Sequence, residues 1–382
     1  MDPRANEPER PPLHGVVTIA RLALLATAAL ALLAGIAGGL LRAGVALPGT
    51  EAAAWPGQAM LAHAALMICC FMGSVIGIER AVAVKLGTAW LAPLASGLAG
   101  AALLLGQAAV GAWLLVAASA VFILVNIEVL RRQQASHTAL LLAGALAWFA
   151  GNLAFAIGVG SMATLPWWFG FLVLTIAAER LEMTRLMRRR PGAQLSLFAV
   201  LAALAAGAAL SAFDPASGGV LYGCALFALA TWLAVFDIAR RTVHAHGLAR
   251  YMAVCLLGGY GWLAVAGAAW AATALGLPLR DTALHALGLG FVVSMMLGHA
   301  PVILPAVARV KLLFGNFFYA PLAALHLSLL LRLALGWNDA ALRALGATFN
   351  ALAIALFAAT VAGAALAWRF RRGKHRPRET TI

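Results

Sequence analysis

Charge is scarce in this chain. Only 10% of its 382 residues are Asp, Glu, Lys or Arg, against 64% that are apolar. A soluble domain of this size has too much surface to leave so few charges in water. Acids are the scarcer sign, 13 against 27 Lys and Arg, for a formal charge of +14. Cysteine is also rare. Cys69, Cys70, Cys224 and Cys255 form no CxxC pair, which excludes a CxxCH haem attachment and favours buried small hydrophobes over a zinc or redox centre. There is no phosphate-binding loop and no polar stretch long enough for a soluble catalytic domain. The first apolar run is too long for a signal peptide, and no small-residue cleavage site precedes Leu41, so no cleaved leader is expected.

What the chain has instead is length in its apolar runs. A helix crossing about 30 Å of hydrocarbon needs roughly 20 apolar residues. Twelve runs near that length occur, at about 16–41, 55–78, 88–106, 110–130, 138–158, 165–182, 195–212, 218–236, 250–275, 282–307, 312–335 and 345–368. The sixth is the weakest. Connections are short and carry turn residues, as in Pro48-Gly49-Thr50 and Asp214-Pro215-Ala216-Ser217. The expected fold is all-α, a polytopic integral membrane protein with one transmembrane domain over 16–368, a short N-terminal tail (1–15) and a basic C-terminal tail (369–382).

Of the 27 Lys and Arg, all but Arg42, Arg280, Arg332 and Arg343 fall in the tails or at the ends of helices facing the same side as the tails. Positive charge is retained in the cytoplasm, so both termini are expected inside, in a bacterial inner membrane. The positive balance is a topology signal, and nucleic acid is not an expected partner; the lipid bilayer is.

The inner ends of the even-numbered helices repeat a pattern. Ile76-Gly77-Ile78-Glu79-Arg80 recurs 100 residues later as Ile176-Ala177-Ala178-Glu179-Arg180, and Met296-Leu297-Gly298-His299-Ala300 occupies the comparable place on helix 10. Glu128-Val129-Leu130-Arg131-Arg132 is matched by Asp237-Ile238-Ala239-Arg240-Arg241. Three four-helix units, 16–132, 138–241 and 250–372, are the expected organisation. Topology alone accounts for the arginines, but not for acids at matched positions.

Four of the nine histidines, His63, His285, His299 and His326, lie inside apolar spans. Ionisable groups at membrane depth are costly and usually face the bundle interior. At about 1.5 Å per residue, His63 lies ~12 Å and His285 ~5 Å below the outer surface, while His299 is ~25 Å deep. Small neighbours (Ala59, Ala62, Ala64, Gly288, Gly290) leave room for a flat cofactor, and two neutral imidazoles from separate helices can hold haem iron. The competing role is a histidine that ties helices together by hydrogen bonds. His299 sits before Pro301 and Pro305, which are expected to break helix 10. An inner polar cluster of Glu79, Glu179, Glu182 and His299 then has three readings: a metal site, a proton relay, or ion pairs with Arg80 and Arg180.

Twelve helices in three units, with histidines on helices 2 and 10, resemble subunit I of the haem-copper oxidase superfamily. The segment His285-Ala286-Leu287-Gly288-Leu289-Gly290 is similar to one in the NnrS family of haem- and copper-containing membrane proteins. The resemblance implies axial ligation of a haem b by His63 and His285, and a role in nitric oxide response or respiratory electron transfer with a respiratory or denitrification partner. From their depth alone, His326 is a substitute ligand and His299 a further metal candidate. Two departures stand out. Helices 6 and 7 contain no histidine, so the three-histidine copper site is missing, and Gln58-Ala59-Met60-Leu61-Ala62-His63 replaces the early His-x-His-Glu cluster of NnrS proteins. A secondary transporter of a small solute is the alternative that twelve helices and abundant glycine also fit.

Overall fold

The chain is described by a computed structural model covering residues 13–50, 53–183, 191–308 and 310–374. Most of the expected N-terminal tail, residues 375–382 of the C-terminal tail, and Arg185, Arg188, Arg189, Arg190 and Arg309 lie outside the described residues. Within them every regular element is helical.

Twelve helices are long and apolar enough to cross a membrane: α1 (Arg21–Arg42), α2 (Trp55–Val84), α3 (Gly87–Leu104), α4 (Ala108–Arg132), α5 (Ser136–Ala156), α6 (Ser161–Met183), α7 (Ala193–Leu210), α8 (Pro215–Phe236), α9 (Gly247–Ala274), α10 (Arg280–Pro305), α11 (Asn316–Leu335) and α12 (Ala340–Arg371). The count expected from the apolar runs holds. The sixth run had been blurred by Pro166, which lies inside α6 without ending it. Turn chemistry sets the boundaries. Asp214 caps α8, its carboxylate accepting from the Ala216 and Ser217 amides at 3.1 and 3.2 Å. Hydrogen bonds from Ser217 hold that carboxyl below its usual range. Glycines at positive φ end several helices, among them Gly106, Gly158 and Gly276.

Each helix packs on its neighbour in sequence, and α12 returns to touch α1. Three helices differ from the rest: α2, α6 and α10 all touch one another. They are also the most enclosed, with 67%, 78% and 56% of their apolar windows buried, while no other helix exceeds 50%. The centre of the bundle is thus made of the helices that carry His63, Glu179 and His285. On one flank of α6, Trp148 of α5 stacks on Phe171 at 4.9 Å, and Phe122 of α4 packs edge-on against both.

Close backbone approach and interhelical hydrogen bonds join these apolar helices. Gly223 of α8 and Gly267 of α9 face each other so closely that a Cβ on either would lie 2.6 Å from the other's carbonyl oxygen. Asn152 on α5 is a second device. Its amide donates to Leu115 O on α4 at 2.9 Å, and its oxygen accepts from Trp168 on α6 at 2.9 Å and from Cys69 on α2 at 3.4 Å. One buried side chain ties four helices with every polar atom paired.

The expected break in α10 at Pro301 and Pro305 does not occur; the helix runs through both. The carbonyl that Pro301 cannot reach, Leu297 O, accepts from the Tyr251 hydroxyl at 3.2 Å, which removes the cost of the lost helical bond. The helical irregularities lie elsewhere, as π-helical turns at Ala65–Met72, Ala286–Val293 and Leu331–Leu335.

Candidate functional site

The three π-helical turns lie at one place in the molecule. The first begins two residues after His63, the second directly after His285, and the third contains Arg332. A π turn adds a residue to a helical turn and re-aims the side chains beside it, and such turns concentrate at functional sites. Here they surround a cavity of about 140 Å³ between α1, α2, α6, α10, α11 and α12. Ile36, Gly39, Phe71, Phe169 and Gly288 contribute apolar walls, and His63, His285, Arg332 and Asn350 the polar points. Gly39 is required for this arrangement, since a Cβ there would lie 2.7 Å from the His63 ring.

The two imidazoles come from different helices to within 6.3 Å between ring centroids, with 29° between their planes. Hydrogen bonding fixes each ring's tautomer. His63 Nδ1 lies 2.7 Å from Gly35 O, which can only accept, so Nδ1 carries the proton and Nε2 the lone pair. That Nε2 makes no hydrogen bond among the described residues. His285 Nδ1 lies 2.9 Å from Asp281 Oδ1 and 3.0 Å from Asp281 O, again acceptors, so its Nε2 also carries the lone pair. Arg332 Nη2 donates to it at 3.2 Å. Arg332 is itself held by Asp281 through two parallel bonds, Nε to Oδ2 at 3.0 Å and Nη2 to Oδ1 at 2.8 Å. At 8% exposure this is a buried guanidinium on a carboxylate, a pair in which losing one partner is costly.

Beyond the imidazoles the cavity opens into a wider vestibule of about 800 Å³ at the far end of the bundle, the end opposite Glu79 and Glu179. Arg42, Arg280, Arg332 and Arg343 all line it. These are the four bases that the remaining Lys and Arg do not accompany. Arg42 bonds Met60 O at 3.3 Å and Arg280 bonds Ser161 Oγ at 2.8 Å. Sequence reasoning found His63 and His285 and missed Asp281, Arg332 and Asn350. Two signals were present: Asp281 precedes His285 by one helical turn, and an arginine against the charge bias needs a reason to be there.

The other singled-out residues fall elsewhere. His326 does not reach the gap between His63 and His285. Trp262 donates to its Nδ1 at 3.1 Å, and its Nε2 faces Ser294 Oγ at 3.3 Å, so both nitrogens are used in joining α9, α10 and α11. His299 lies at the basic end, its Nδ1 on Met295 O at 2.7 Å and its Nε2 3.4 Å from Arg180 Nη1. The expected inner cluster does assemble, with Glu79 near Glu179, Arg80 and His299. Its centre is a residue the sequence reading placed only in the repeat: Asp237 grips Arg180 at 2.8 and 3.2 Å, both side chains buried. Glu182 lies to the side, 3.9 Å from His137. Among the described residues no three His, Cys, Asp or Glu side chains are grouped as ligands for a bare ion, here or elsewhere.

Fold and site together define a class: a helical protein with twelve helices long and apolar enough to cross a membrane, and a paired-imidazole cavity between its central helices. The chain belongs to the family described as a domain of unknown function (DUF8744), whose model matches residues 21–366, the whole helical bundle. No curated protein and no solved structure matches it significantly.

Proposed function

We propose that this chain is an integral membrane haem protein in which His63 and His285 supply the two axial nitrogens. The observation that carries the reading is the pair of rings 6.3 Å apart between helices, each with Nδ1 engaged, the His63 Nε2 lone pair without a donor among the described residues and the His285 Nε2 held by Arg332 alone. Two imidazole nitrogens on opposite sides of one metal, each about 2 Å from it, put ring centroids roughly 6.3 Å apart. Plain ring contact spans that distance too, but contact alone leaves the His63 Nε2 lone pair without a donor. The glycines and aromatic walls of the cavity suit a flat macrocycle that would supply the other coordination positions.

Haem b fits this donor set. His63 and His285 would hold it, Phe71 and Phe169 would flank it, and the arginines of the vestibule would face its carboxylates. When bound, it supplies reversible one-electron chemistry. For His285 to hold the group, its Nε2 would have to leave Arg332 Nη2, while the two bonds to Asp281 would keep the guanidinium in place. Asp281 keeps the ring from turning, and Gly35 does the same for His63.

The bundle is read as inserted in a bacterial inner membrane with both termini cytoplasmic and the vestibule outside, its twelve helices grouped as three related four-helix units around α2, α6 and α10. The role that fits is respiratory electron transfer or nitric oxide response, with a redox partner in the same membrane. The test is the absorption spectrum of purified, detergent-solubilised protein, oxidised and dithionite-reduced. A Soret band with sharp reduced α and β peaks is expected, and H63A should abolish it. Colourless protein from cells with ample haem overturns the reading and leaves solute transport as the leading alternative.

A further inference from the structure

The two imidazoles have unequal partners. His63 Nδ1 donates to Gly35 O, a neutral carbonyl, at 2.7 Å. His285 Nδ1 lies 2.9 Å from a carboxylate oxygen of Asp281, one turn earlier on the same helix. That carboxylate is shared: Arg332, from the π-helical turn of α11, holds both its oxygens at 2.8 and 3.0 Å. Asp281 is thus a branch point between an imidazole and a guanidinium, at the mouth of the cavity and inside the vestibule lined by Arg42, Arg280 and Arg343.

We infer that Asp281 and Arg332 are positioning residues that set the electron-donating strength of His285, making it the stronger of two unequal axial ligands; the inference rests on the haem reading above. A carboxylate on the Nδ1 proton draws that proton away and makes the opposite nitrogen a better donor, which favours the oxidised metal. The guanidinium works against this, because it withdraws charge from the same carboxylate and adds a cation beside the site. The two residues therefore push the one-electron couple in opposite directions. The gap between their effects is set by a geometry in which Arg332 bonds both oxygens of Asp281 while one of those oxygens also faces His285 Nδ1.

The experiment is a potentiometric titration of the reduced α band in the purified holoprotein, with dithionite supplying the electron, for wild type, D281N and R332Q. D281N removes the negative charge and leaves an amide oxygen for Nδ1, so its midpoint potential should shift upward. R332Q removes the cation and leaves Asp281 undivided, so its potential should shift downward. Both should keep a bis-imidazole spectrum. Opposite signs support the inference, since a purely structural loss would loosen the site in the same sense for both. Shifts of one sign, or none, overturn it. If D281N fails to load haem, R332Q decides alone, and a potential at or above wild type overturns the inference. Colourless wild-type protein removes the haem reading, and this inference with it; coloured protein with unmoved potentials removes this inference only.

Discussion

His63, His285, His299 and His326 occupy similar apolar surroundings in the sequence and have different duties in the fold, because a neutral imidazole has one donor and one acceptor to place. At His326 both are placed inside the protein, on Trp262 and Ser294, and no ligand is called for. At His63 one remains over. Replacing His326 with Leu should leave the Trp262 indole N–H unpaired and cost about 1–3 kcal/mol, seen as a lower melting midpoint, with the Soret band intact. Loss of that band in H326L but not in H63A would transfer the axial role to His326. The buried Asn350 at the same cavity also leaves its amide oxygen without a partner, although its nitrogen bonds Ser328 at 2.7 Å. It is a second point where the cavity awaits a polar group.

Among the helices, α8 and α9 meet through Gly223 and Gly267 with no space for a Cβ. G267L should force the pair apart and disable folding, with detergent-extracted protein eluting as aggregate. G261L, on the same helix where a Cβ meets nothing within 4 Å, should behave as wild type. The π turns are the other feature of this scale. They cannot be seen as a composition signal, because their sequences, such as Ala-Leu-Gly-Leu-Gly-Phe-Val-Val after His285, are ordinary apolar runs. The prolines of α10 were the visible irregularity, and a tyrosine on another helix cancels it.

Across the whole molecule, the charge bias sets a testable orientation. A cysteine placed at Gly158, in the connection after α5, should react with a membrane-impermeant maleimide from outside intact spheroplasts, while one at Gln134, after α4, should react only after lysis. The reverse pattern would put the arginine vestibule on the cytoplasmic side. The native thiols should interfere little, since Cys69, Cys70 and Cys255 are buried and Cys224 lies within an apolar helix.

The sequence by itself determined how many helices there are and nearly where they end, because twelve apolar runs of membrane length separated by turn residues permit little else. It also nominated His63 and His285, since imidazoles at that depth carry a cost. Only the tertiary structure decided which of the buried histidines meet, which are already satisfied, and that four arginines distant in sequence share one vestibule with Asp281. The reason is physical. Helix formation and apolar length are local properties written along the chain, whereas a hydrogen-bond partner is supplied by whichever helix packs alongside, and apolar periodicity is nearly silent about which helix that is.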